Sequence, residues 1–171
     1  MARRLVPIAL CSLTAACCLG VAPALAAPTR AEYIAQADPV CQSFVEPESA
    51  SLGAYHRDFK SWLRAAKKGS IKRFARLTHR LAAALLDFDR VHSSMTEQVA
   101  AIQPPDADAS LIGIWLNGRR QADVLSDTAA AALNRFRVRR FFTLIRKADN
   151  VEGYGTQAIN GYGFHVCGIS A

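Results

Sequence analysis

Apolar residues recur every three or four positions along most of the chain beyond residue 28, and no stretch keeps a sustained two-residue alternation. That period predicts helices and argues against strands. Thr29-Arg30-Ala31-Glu32 has the Ser/Thr-x-x-Glu form of a capping box, ahead of apolar Tyr33 and Ile34. Asp38-Pro39 reads as a fresh N-cap with proline at the first helical position. From there Cys41, Phe44, Leu52, Tyr55, Phe59, Trp62 and Ala66 hold one face, with a kink or short break expected at Pro47 and Gly53. Lys68-Gly69-Ser70 stops this helix and caps the next. A second stripe runs through Phe74, Leu77, Leu81, Leu85, Phe88, Val91, Met95, Val99 and Ile102 to Pro104-Pro105. A third starts at Asp106 or Asp108 and carries Leu111, Ile114, Trp115, Ala122, Leu125, Ala129, Ala132 and Phe136. The charged corner Arg135 to Arg140 leads into a fourth, with Phe141, Phe142, Ile145, Ala148, Val151, Tyr154, Ala158 and Tyr162. Four long amphipathic stretches with short links predict an all-α, antiparallel up-down-up-down four-helix bundle.

The first residues have a different character. Arg3 and Arg4 precede an apolar run without charge until Arg30, and Ala24-Leu25-Ala26 offers the small residues of a cleavage site. Residues 1–26 therefore read as a signal peptide and 27–171 as a single bundle domain, placing the protein in the periplasm, cell envelope or extracellular space. Two other fates stay open: lipidation of Cys17, because Thr14-Ala15-Ala16-Cys17 is an imperfect lipobox, or retention of the run as an N-terminal anchor. Cys11, Cys17 and Cys18 lie in this segment, leaving Cys41 and Cys167. Two cysteines in an exported chain most simply form one disulfide, the alternative being two buried thiols. An up-down-up-down bundle brings the start of its first helix and the end of its fourth to one pole, where these cysteines would meet.

Tyr33-Ile34-Ala35-Gln36-Ala37-Asp38 leading to Cys41, then Ile102-Gln103-Pro104-Pro105, Trp115, and Tyr162-Gly163-Phe164 leading to Cys167-Gly168 occur in order across nearly the whole mature chain. In these features the sequence resembles a family of small exported proteins and lipoproteins of actinobacteria and their relatives. The resemblance implies export and a helical bundle, and it brings no catalytic residue.

Candidate chemistry is sparse. The repeated Gly-Tyr-Gly at 153–155 and 161–163 follows the last helix instead of opening one, so it lacks the free N–H groups of a phosphate loop. It reads instead as a clasp, with Gly155 and Ala158 in a close helix seam and Gly161 or Gly163 in a left-handed cap. The chain lacks Glu-x-x-His, Cys-x-x-Cys-His and Gly-x-Ser-x-Gly; the nearest metal-like pattern, Asp89-Arg90-Val91-His92, occurs once. His56, His79, His92 and His165 are accordingly expected to be exposed or singly bonded. No catalytic residue, metal ligand or cofactor is assigned, and the expectation is a non-enzyme. The alternative is a small-molecule, metal or haem site in the core around His92 and Met95.

Charge changes the picture most. The formal net charge is +7, and the basic residues are unevenly placed. Arg57, Lys60, Arg64, Lys67, Lys68, Lys72, Arg73, Arg76 and Arg80 cluster with Asp58 as the only acid, and Arg135 to Lys147 adds six more with none. In the predicted topology both segments fall at the pole opposite the disulfide. Arg64, Lys67, Lys68, Lys72, Arg73, Arg137, Arg139 and Arg140 are the expected contact set for an envelope polyanion, anionic lipid headgroups or an acidic protein. Nucleic acid is disfavoured, because the neighbouring aromatics keep core spacing instead of forming a stacking platform.

Overall fold

The computed structural model describes residues 27–168, so the leader and Cys17 lie outside the described residues. Four helices make up the fold: α1 (Arg30–Lys67), α2 (Ile71–Ala100), α3 (Ala109–Asn134) and α4 (Val138–Ala158). They form the antiparallel bundle the periodicity predicts, with α1 packed on α2, α2 on α3 and α3 on α4. The backbones of α1 and α4 stay further apart, and large side chains fill the space. Near the tip, Phe59 and Trp62 of α1 meet Phe142 of α4 at ring-centroid distances of 6.2 and 6.1 Å. None of the described helices is long and apolar enough to cross a membrane.

α1 departs from expectation by running unbroken through both prolines. The capping box at Thr29 and Glu32 forms as predicted, but Asp38 does not cap a new helix. Its carboxylate instead accepts the backbone N–H groups of His165, Val166 and Cys167 at 2.9, 3.1 and 3.1 Å. Each proline removes one intrahelical bond, at about 3 kcal/mol. The freed carbonyls belong to Ala35 and Ser43, which are exposed and open to water. Burial of Tyr33, Ala37 and Cys41 on the opposite face offsets the loss at Pro39. No break forms at Pro47 or Gly53 either.

Elsewhere the punctuation is close to that predicted, with local differences. Gly69 takes φ +66°, the left-handed conformation that ends α1, and Ser70 occupies the N-cap of α2 without a side-chain cap bond. A short 3-10 turn at Asp106–Asp108 precedes α3. Asp108 sits at that N-cap, but its carboxylate is turned to Arg30 (2.9 and 2.6 Å) and the Tyr162 hydroxyl (3.0 Å). α4 persists past Asn150 and runs through both Gly153 and Gly155. Gly155 lies against Gly118 of α3, where a Cβ on Gly155 would sit 3.1 Å from the Trp115 carbonyl oxygen and 3.3 Å from Gly118 Cα. That approach turns the Gly155 face toward α3 and leaves Tyr154, expected on the apolar stripe, 70% exposed.

Cys41 and Cys167 form a disulfide with Cα atoms 5.4 Å apart. Gly161 and Gly163 both have positive φ, and between them Tyr162 turns inward. Phe164 then packs on Tyr33, Trp115 and Tyr162, so the Gly-Tyr-Gly segment is the clasp its position implied. The core falls into two apolar clusters. One, at the disulfide pole, includes Tyr33, Met95, Val99, Ile112 and Trp115. The other, at the opposite pole, includes Trp62, Leu77, Leu81, Leu133 and Phe141.

Candidate functional site

Between the two apolar clusters the interior becomes polar. Tyr55 of α1, Asp89 and His92 of α2, Asp123 and Ser126 of α3, and Asp149 and Glu152 of α4 line a cavity of about 90 Å³. Three of these helices contribute a pair of polar residues three apart, the spacing that puts both on one helix face. The pairs Asp89/His92, Asp123/Ser126 and Asp149/Glu152 are therefore aimed inward together.

His92 is buried, and both ring nitrogens meet carboxylates, Nδ1 at 2.8 Å from Asp123 and Nε2 at 3.0 Å from Glu152. Two acceptors on one ring require two N–H donors, so the ring is an imidazolium. Burial works against that charge, but the hydrogen bonds to Asp123 and Glu152 outweigh it and raise the pKa to about 9. Glu152 responds in the opposite sense: burial would raise it, and bonding to His92 with Arg119 nearby brings it below its ordinary value. Arg119 is also buried, donating from Nε to Thr96 Oγ1 at 3.1 Å, with its guanidinium 3.9 Å from Glu152.

Asp89 is the exception in this network. It is 6% exposed, and its Oδ2 has no hydrogen-bond partner among the described residues. Burial, reinforced by the charges of Asp123 and Asp127, raises its pKa from 3.8 to about 7. Asp149, at the solvent side of the same cavity, is also raised, by partial burial and the charge of Glu152.

The sequence-based expectation that every histidine is exposed or singly bonded fails at His92. Its neighbours on α3 and α4 are distant in sequence, so its own helix gave no sign of two carboxylate partners. The available signal was the set of polar pairs three apart interrupting apolar stripes. Of the alternatives around His92 and Met95, metal or haem ligation would need a free nitrogen lone pair on His92 and a thioether beside it. Neither His92 nitrogen has a free lone pair, and Met95 belongs to the disulfide-pole cluster. Among the described residues no group of three His, Cys, Asp or Glu is placed to hold a metal ion.

The second feature is the pole opposite the disulfide. Arg64, Lys67, Lys68, Lys72 and Arg73 sit on the α1–α2 tip, and Arg137, Arg139 and Arg140 on the α3–α4 tip; all eight are exposed. The tips are neighbours, since His79 Nδ1 lies 2.9 Å from Asn134 Oδ1 and its ring meets Phe136 edge-on. None of the eight forms an ion pair among the described residues, whereas Arg30, Arg80, Arg90 and Arg120 are each paired with a carboxylate. The helix ends add to this field. α2 and α4 both begin here with no acid in the first turn and no side-chain N-cap bond, so their positive dipole ends are uncompensated. Apolar groups protrude among the cations: Ile71 is 84% exposed and Phe136 47%. A shallow groove floored by Ala65, Ala66 and Phe74 lies beside Ile71. The sequence placed these cations correctly at one pole, but Ile71, Phe136 and the uncapped helix ends emerge only from the fold.

Comparison of the chain with models of known protein families, with curated proteins and with solved structures finds no match to any of them.

Proposed function

We propose that this is an exported, non-catalytic bundle of the cell envelope or extracellular space that docks through its basic pole on an anionic surface. The observation that carries the reading is the gathering of eight exposed, unpaired cations around two uncapped helix N-termini. Free N–H groups and dipole ends favour phosphate-like anions, and flanking Lys and Arg add a field that steers them inward. Among anionic partners, lipid headgroups fit better than a soluble polyanion or an acidic protein, because Ile71 and Phe136 stand out among the cations. Those side chains can enter the headgroup boundary while the cations meet phosphate. Each Lys or Arg near such a surface contributes about 1 kcal/mol. The disulfide, formed in oxidising compartments, supports export.

Cosedimentation with vesicles tests this reading. The protein should bind vesicles containing anionic phospholipid, release them as salt rises, and ignore neutral vesicles. Reversing Arg64, Lys68, Arg73 and Arg139 to Glu should abolish binding, while Asp106→Lys should not. Ile71→Ser should weaken vesicle binding and leave retention on a soluble polyanion unchanged. Equal loss on both matrices would favour the polyanion, and equal binding by the four-residue variant would end the proposal.

A further inference from the structure

The central cavity has a charge imbalance that its own residues do not resolve. Four carboxylates face it: Asp89, Asp123, Asp149 and Glu152. Two buried cations answer two of them, His92 bonding Asp123 and Glu152, and Arg119 standing by Glu152. Asp89 and Asp149 form no ion pair among the described residues, and Asp89 Oδ2 has no partner at all although the residue is nearly buried. A buried carboxylate oxygen with neither donor nor cation is costly; it is relieved by holding a proton or by a bound group that supplies a donor and a positive charge.

The shape and lining of the cavity narrow that group. A bare divalent ion needs several oxygen or nitrogen donors converging on one point, and such a convergence is absent among the described residues. The remaining walls are apolar and aromatic: Phe88 stacks on His92 at 5.9 Å, and Leu85, Ile145 and Tyr55 complete them. Carboxylates backed by ring faces and aliphatic side chains suit an organic cation. A volume of about 90 Å³ is smaller than the roughly 150 Å³ cavity that accepts benzene. It fits a head group, not a whole ring. Asp149 is exposed, so the cavity reaches solvent beside α4 and a chain attached to the head group can leave there.

We infer that this cavity binds the primary ammonium group of a linear aliphatic amine, with Asp89 at its floor and Asp149 at its mouth as the anionic partners. The ammonium supplies N–H donors to Asp89 Oδ2, its methylenes lie against Leu85, Phe88 and Ile145, and the remainder extends past Asp149. The site lies between the two apolar clusters, away from the basic tips, so its test is independent of the docking reading.

Acidity should gate the site. Asp89 must be ionised to bind, and its pKa of about 7 in the unliganded protein places that change near neutrality. The groups facing it are Tyr55 on α1, His92 on α2, Asp123 and Asp127 on α3, and Asp149 and Glu152 on α4. His92, at about 9, and Tyr55, at about 12, hold their protons between pH 5.5 and 8. Affinity should therefore fall roughly 30-fold from pH 8 to pH 5.5 as Asp89 protonates.

Calorimetric titration of the disulfide-intact chain in phosphate buffer tests the assignment, with 1,4-diaminobutane and n-butylamine as probes and n-butanol as the uncharged control. Both amines should bind saturably at pH 8 and at least tenfold more weakly at pH 5.5, and n-butanol should not bind. Asp89→Asn should weaken binding by at least tenfold. Asp149→Asn, a change at an exposed position, should weaken it severalfold and covers the case in which the Asp89 variant misfolds. Unchanged amine affinity in both variants, equal binding of n-butanol, or no saturable binding of either amine at millimolar concentration would overturn the inference. Tight binding of calcium or zinc that the amines cannot displace would also overturn it.

Discussion

Replacing Asp89 by Asn should make the unliganded protein more stable at pH 8, an unusual direction for a buried polar position. The substitution keeps the shape and removes only the ability to ionise. In the folded chain the carboxyl titrates near 7 because it is buried and faces the charges of Asp123 and Asp127, against 3.8 for the unperturbed group. Between these values the native state holds a proton that the unfolded chain has lost. The native state thus binds more protons, and stability falls as pH rises from about 4 to about 7. The gap corresponds to roughly 4 kcal/mol. The cavity reaches solvent, which screens the charge, so roughly 2 kcal/mol is the realistic gain for Asn at pH 8. For a domain of this size that raises the melting temperature by about 4 to 8 °C.

The assay is urea unfolding of parent and variant at several pH values in an amine-free buffer, because a buffer amine could occupy the cavity. The two curves should nearly coincide at pH 4, separate as pH rises, and hold a constant gap above pH 8, with equal denaturant slopes. His92 contributes in the same direction through a different window. Its raised pKa gives stability that is complete below about 6.5 and lost as pH rises through about 9. The variant should therefore keep the alkaline decline while losing the one below pH 7. A gap that does not change with pH, or a variant less stable at pH 8, would refute the burial argument.

The disulfide and the glycine seam give two further expectations. The Cys41–Cys167 pair is separated by 126 residues, so loop-closure entropy assigns it about 5 kcal/mol; Cys41→Ser with Cys167→Ser should lower the urea midpoint accordingly, and a loss below about 1 kcal/mol would show that the clasp is held without it. Gly153 is exposed with nothing near its missing Cβ, whereas a Cβ at Gly155 meets backbone atoms on α3. Gly153→Ala should therefore stabilise by about 0.5 to 1 kcal/mol through helix propensity. Gly155→Val should destabilise by about 1 to 3 kcal/mol through overpacking. Thermal melts of both variants against the parent decide it, and effects of the same sign would contradict the seam.

The helix count, the links and the disulfide were legible because each rests on local signals: period, caps and punctuation, plus the parity of an antiparallel bundle. The prolines misled for a physical reason. At Pro39 the cost of a lost backbone bond is fixed and local, but the packing of Tyr33, Ala37 and Cys41 that offsets it depends on the whole fold. Asp38 shows the same thing more sharply. Beside a proline it has the form of a helix start, yet its carboxylate serves a loop more than 120 residues away. The basic pole was readable because charge segregation survives in the linear sequence. The central cavity was not, because its members come from four helices and each polar pair alone resembles an ordinary solvated face.

The placement of that polar layer bears on how the bundle selects one structure. Two apolar clusters built from Leu, Ala and aromatic residues can slide or repack at modest cost, since dispersion and burial are indifferent to register. A buried imidazolium bridging Asp123 on α3 and Glu152 on α4 is not indifferent. Shifting either helix by one turn, about 5.4 Å, would leave His92 or its partners buried and unpaired, a penalty of several kcal/mol. The layer need not add net stability to do this; it only has to make the alternatives worse. On that argument Asp123 and Glu152 are accounted for by register, and so is Arg119 through Thr96 and Glu152. Asp89 is not. It bridges no helices through its unpartnered oxygen, and its ionisation destabilises the fold that surrounds it. A buried group whose ionisation weakens the free protein is one whose benefit lies in a bound state, and this separates Asp89 from the rest of the network.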